Sequence, residues 1–153
     1  MDASLAIDAL IGDATRKVRA LRFLTICNAR GVALVVPPTF PSEADTAVRR
    51  IVARGQMPAT DMPLIFGALD ALPLDMALDA AELDAVRKRA RQIAEELALT
   101  PVYDSTYAAL AEARGCDFWT ADEKFANAAK QVRRQTNGKA APTLSNVRWI
   151  GDF

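Results

Sequence analysis

Histidine is absent from this chain of 153 residues, and cysteine occurs only twice, at Cys27 and Cys116. Without histidine there is no Ser-His or Cys-His nucleophile pair, and two distant cysteines offer neither a zinc site nor a disulfide framework. Net charge is missing too. The 19 basic and 19 acidic side chains cancel, so any surface for nucleic acid must be a local patch and not a property of the whole chain. No apolar run approaches the roughly 20 residues that span a bilayer, and no basic-plus-apolar segment opens the chain as a secretion signal does. The seven glycines never form GxGxxG or GxxxxGK, which argues against a phosphate-gripping loop and a small phosphorylated substrate. The expectation is a soluble, cytoplasmic protein whose chemistry is done by oxygen ligands.

What is present is enough apolar material for one core. At 51% apolar and 25% charged residues, the length suits a single domain over 1–153. Val32 to Val36 (VALVV) has the length of a buried strand and is closed by Pro37 and Pro38. Asp2 to Leu10 reads as a strand end passing into a short helix, Ala14 to Arg30 as a longer helix stopped by Gly31, and Ser42 to Arg54 as another stopped by Gly55. Asp61 to Leu72 is a further helix. The strongest period runs from Asp79 to Leu99, where Leu83, Val86, Ala90, Ile93, Ala94 and Leu97 recur at three and four residues. Thr100 then caps and Pro101 opens a helix whose inner face holds Tyr103, Tyr107, Leu110 and Ala111, with Gly115 as its stop. Cys116 to Trp119 is a short strand, Thr120 and Glu123 have capping-box spacing, Gln135 to Thr143 reads as loop, and Val147 to Ile150 as a last strand. Strands alternating with helices predict an α/β fold with a short, mostly parallel central sheet flanked by helices.

In such sheets functional groups gather beyond the carboxyl ends of the strands. Asp2, Glu43 and Asp122 each follow a strand candidate, and Asp104 opens a helix. Each has an ordinary explanation, because an acid in a helix's first turn is stabilised by free amides and the dipole. Jointly they suggest another role. Carboxylates packed together oppose one another's ionisation unless a divalent cation sits between them, and Mg²⁺ or Mn²⁺ held that way can activate water for attack on a phosphodiester. Thr120 and Ser4 are the candidates to orient those acids. Arg49, Arg50, Lys124 and Arg148 are the basic residues placed to hold a phosphate backbone, while the run Arg87, Lys88, Arg89 and Arg91 reads as a solvated face.

The segment from Thr100 to Lys130 resembles the C-terminal signature of PIN-domain ribonucleases, in particular the VapC-type toxins of bacterial toxin-antitoxin pairs. The matching elements are Tyr103-Asp104, Tyr107, Leu110-Ala111, Gly115, Phe118-Trp119, and Thr120-Ala121-Asp122 followed by Lys124-Phe125. Upstream, Val35-Val36-Pro37-Pro38 leading to Ser42-Glu43-Ala44 is similar to the family's strand, proline turn and acidic helix start. Met1-Asp2-Ala3-Ser4 is similar to the end of its first strand, and Arg148-Trp149-Ile150 to its last. The resemblance implies a PIN-like three-layer fold and a Mg²⁺-dependent endoribonuclease with Asp2, Glu43, Asp104 and Asp122 as catalytic metal ligands. It also implies an RNA substrate, a homodimer and a cognate antitoxin protein lying across an apolar groove near the site. Leu21, Phe23, Leu24 and Ile26 exceed what one buried stripe needs and are candidates for that groove. Members usually carry several apolar residues before the first aspartate, whereas only Met1 precedes Asp2 here. The first strand is therefore expected to be short or frayed and Asp2 to be held loosely, unless the natural chain continues upstream.

Overall fold

The computed structural model describes residues 1–98, 103–131, 133–136, 139–142 and 144–153, with the backbone alone for 133–136 and 139–142. The expected cap at Thr100 and helix start at Pro101 lie outside the described residues. The chain is mixed α/β and mostly helical, with short strands.

Capping side chains set most helix starts. Asp2 opens α1 (Ala3–Ile11), its Oδ1 accepting from the Leu5 N–H at 2.9 Å, and Asp13 opens α2 (Ala14–Ala29) by accepting from the Thr15 and Arg16 amides, each at 3.0 Å. Such a cap contributes about 1 kcal/mol. After β1 (Leu34–Val35), α3 (Phe40–Ala53) begins with proline in its first turn, where a missing N–H costs nothing. A 3₁₀ turn over Ala59–Asp61 leads into α4 (Met62–Asp70), and β2 (Leu74–Asp75) follows directly behind Pro73. Asp79 caps α5 (Ala80–Glu96), which buries Val86, Ala90, Ile93 and Ala94 as its period requires. Gly31, Gly55 and Gly115 end α2, α3 and α6 (Tyr103–Arg114) at φ of 62°, 69° and 61°, the left-handed region where glycine carries no Cβ penalty. The remaining elements are β3 (Phe118–Thr120), α7 (Glu123–Gln131), β4 (Arg133–Thr136), β5 (Lys139–Pro142), β6 (Val147–Trp149) and a closing 3₁₀ turn.

Pairing is mostly parallel. Leu34 and Val35 lie beside Leu74 and Asp75, and Phe118, Trp119 and Thr120 beside Val147, Arg148 and Trp149. The first two residues stand between these ladders. The Met1 amine donates to the Val35 carbonyl at 3.5 Å and the Asp2 N–H to the Trp119 carbonyl at 3.2 Å, so the chain touches β1 and β3 just before turning into α1. Burial holds the amine's pKa below its usual value. Asp2 is therefore not loosely held, contrary to expectation: it is 2% exposed and bonded through its N–H and both side-chain oxygens.

The core packs α1 and α3 against the strands and α6, through Leu5, Ala6, Val36, Phe40, Val48, Leu110 and Phe118. The Tyr107 ring stacks on Phe118 with centroids 5.9 Å apart. Burying each large apolar side chain stabilises by about 1.5–3 kcal/mol. Other expectations change as well. The stretch Gln135 to Thr143 is not all loop, because β4 and β5 pair antiparallel with Thr136 opposite Lys139. Thr120 is a strand residue and not a helix cap. Arg89 leaves the solvated face, its guanidinium half-buried between α5 and α6 and paired with Glu112 at 2.6 Å and Glu96 at 3.2 Å.

Candidate active site

The four acids occupy the first turns or caps of α1, α3, α6 and α7, and those of α1 and α7 meet at the carboxyl end of β3. Asp122 caps α7 by accepting from the Phe125 N–H at 3.0 Å. Thr120, the last residue of β3, links two acids through one hydroxyl. Its Oγ1 donates to Asp2 Oδ2 at 2.5 Å and accepts from the Asp122 N–H at 2.9 Å. Because a hydroxyl rotates to give one proton and keep its lone pairs, threonine can serve both partners at once. Ser4, in the first turn of α1, is near enough to favour the ionised Asp2.

Glu43, in the first turn of α3, meets α6 from the other side. Tyr107 donates its hydroxyl to Glu43 Oε2 at 2.8 Å, while Oε1 is buried and has no hydrogen-bond partner among the described residues. Burial, then the Glu43 charge, hold the Tyr107 phenol well above its usual pKa, so it stays a donor.

Asp104 registers all three of the other acids. Burial and then the charges of Asp2, Asp122 and Glu43 push its pKa up from 3.8 to about 7. Asp2 is raised as well, mainly by burial and against the hydrogen bonds from Thr120 and Leu5 and the nearby Ser4. The folded chain thus brings Asp2, Glu43 and Asp122 within electrostatic reach of Asp104. It stops short of a formed cage: among the described residues, no group of three or more Asp, Glu, Cys or His side chains is arranged to hold a metal ion. The donor set is nonetheless the all-oxygen kind that suits Mg²⁺ or Mn²⁺, and the buried, unpartnered Glu43 Oε1 is the atom a cation would satisfy. Both oxygens of Asp2 keep lone pairs beyond the bonds they already accept.

The basic candidates divide. Arg50 lines a cavity with Glu43, Ser42, Thr46 and Tyr103. Lys124 is exposed on α7, two residues past Asp122. Arg49 instead lies over the Phe66 ring at 5.6 Å. Arg148 pairs with Asp117 at 3.1 Å, near the start of β3 and so toward the strand end opposite Thr120. Tyr107, which its spacing marks as core or interface packing with base stacking as the alternative, proves to be a hydrogen-bond donor to one of the acids. The available cue was a tyrosine in place of phenylalanine on a buried helix face, since a buried phenol needs a partner.

No helix among the described residues is long and apolar enough to cross a membrane. Comparison with family models, with curated proteins and with solved structures gives no match to the chain.

Proposed function

We propose that the chain is a metal-dependent endoribonuclease toxin of PIN-like architecture, hydrolysing RNA phosphodiester bonds and neutralised by a cognate antitoxin protein. The observation that carries this reading is Asp104, whose ionisation is opposed by Asp2, Asp122 and Glu43 together. Four acids from four helix starts that share one field are more than four independent caps require. Asp2, Glu43, Asp104 and Asp122 would hold Mg²⁺ or Mn²⁺, which supplies positive charge beside the phosphate oxygens and lowers the pKa of a water.

The rest of the work falls to the chain's own residues. Thr120 fixes the Asp2 carboxylate against rotation, and Tyr107 does the same for Glu43. Arg50 and Lys124 offer charge to the phosphates on either side of the scissile bond. No histidine is required as base, because a carboxylate near the water can accept its proton. Leu21 and Val18, exposed one turn apart on α2, give an antitoxin segment or a second copy apolar surface.

The test is cleavage of labelled single-stranded RNA by purified protein with Mg²⁺, with Mn²⁺ and with EDTA. Cleavage should need the metal and should be lost in Asp104→Asn and in Asp122→Asn, the second of which keeps a good helix cap. Metal-independent cleavage, or full activity in either variant with its fold intact by circular dichroism, overturns the assignment. A second reading, a non-catalytic RNA-binding or protein-interaction domain, is favoured by the absence of a preformed ligand cage among the described residues. RNA binding without turnover in either metal would select it.

A further inference from the structure

Beside Glu43 lies a cavity of about 210 Å³ lined by Ser42, Thr46, Arg50 and Tyr103. Three of these stand on one stripe of α3, at spacings of four residues, and the fourth comes from the start of α6. Tyr103 is 55% exposed, an unusual position for an aromatic ring whose helix otherwise buries Tyr107, Ala108 and Leu110. Its exposure is not explained by packing. Arg50 is exposed and forms no salt bridge among the described residues. Ser42 and Thr46 donate their hydroxyl protons to the backbone, to the Thr39 and Ser42 carbonyls, which leaves both oxygens as acceptors at the cavity wall.

An exposed aromatic face, a free guanidinium and two hydroxyl acceptors make a site for a flat, hydrogen-bonding group that carries negative charge on one side. A nucleotide of single-stranded nucleic acid has that chemistry, with a π face to stack, amino groups to donate and a phosphate to pair. The volume is below the several hundred Å³ that enclose a drug-sized ligand, and it suits one unstacked base with its phosphate outside. We propose that this cavity is a base-binding subsite for single-stranded RNA, with Tyr103 as the stacking platform and Arg50 on the adjoining phosphate. The inference rests on the nuclease reading for the identity of the strand, and Glu43, shared by both sites, places the held base next to the bond to be cut. A duplex cannot use it, because its bases are stacked and paired.

The test measures binding of a fluorescein-labelled single-stranded RNA of mixed sequence by anisotropy, in EDTA so that nothing is cut. Wild type should bind it in preference to the same sequence as a duplex. Tyr103→Ala should weaken binding roughly tenfold, as loss of one base stack does, while Tyr103→Phe restores it and Arg50→Ala weakens it with a reduced salt dependence. Equal affinity for wild type and Tyr103→Ala overturns the subsite, as does a Tyr103→Ala defect confined to self-association in sedimentation. Single-strand binding that depends on Tyr103 without any metal-dependent cleavage leaves the subsite standing and removes the nuclease. Cleavage with unchanged KM in Tyr103→Ala does the reverse.

Discussion

The Tyr107 hydroxyl donates to Glu43 Oε2 at 2.8 Å, joining α6 to the first turn of α3 across 64 positions of sequence. It leaves Oε1 buried and unpartnered among the described residues. One oxygen is held while the other keeps its lone pairs, the arrangement that the proposed metal site calls for. Tyr107→Phe keeps the stack on Phe118 and removes only the donor. We expect it to lower stability in urea by about 1–3 kcal/mol, the cost of leaving a buried acceptor without its partner. Saturating Mg²⁺ should recover part of that loss, and equal loss with and without metal would mean that the bond is structural alone.

Thr120 is the corresponding anchor for Asp2 and Asp122. Thr120→Val keeps shape and β-branching but leaves the buried Asp2 oxygen without its donor and the part-buried Asp122 N–H without its acceptor, so it should cost about 1–3 kcal/mol. Thr120→Ser retains the hydroxyl and should keep most of the stability. Urea denaturation of the pair separates shape from hydrogen bonding.

Asp104 makes the metal-free protein sensitive to pH in a direction that can be stated. The folded carboxyl keeps its proton up to about pH 7, whereas the unfolded one releases it near 3.8. Between those values the folded state binds more protons, so stability falls as pH rises. Asp2, raised for the same reason of burial, acts in the same sense. Asp104→Asn should remove much of this slope and be more stable than wild type at pH 8 without metal, by on the order of 1–3 kcal/mol. Thermal melts from pH 5 to 8 in EDTA should show it. A wild-type stability that climbs with pH over that range would contradict the crowding.

One backbone prediction is independent of function. Ala98 has φ of 51° just past α5, a left-handed position that penalises a Cβ. Ala98→Gly should therefore raise the melting temperature, by the equivalent of about 0.5–1 kcal/mol.

Much of the architecture was legible because local rules and tertiary packing agree. The period of Val86, Ala90 and Ile93, the caps at Asp13 and Asp79, and the glycines at 31, 55 and 115 each fix a helix or its end without reference to anything distant. What was not legible depends on partners far along the chain. Arg89 looks like its neighbours Arg87, Lys88 and Arg91 until α6 brings Glu112 to it. Leu74 and Asp75 are strand only because Leu34 and Val35 lie alongside. The antiparallel pair of β4 and β5 has a local cue in the sequence, Asn137-Gly138 between two short runs. Thr120 has the spacing of a cap, but pairing with Trp149 holds it in β3 and hands the cap to Asp122. Among the site residues, positions at helix starts were readable, whereas the Tyr107 contact required the fold.

The central claim is that Asp2, Glu43, Asp104 and Asp122 share one divalent cation, and Mn²⁺ binding followed by electron paramagnetic resonance tests it most directly. Wild type at pH 8 should bind Mn²⁺ at a site that Mg²⁺ displaces, and Asp104→Asn and Asp122→Asn should each weaken that binding tenfold or more, the loss expected when one ligand of a small oxygen site is removed. Wild-type protein that leaves Mn²⁺ free in solution, or variants that bind it as well as wild type, would contradict the account and leave these acids as helix caps.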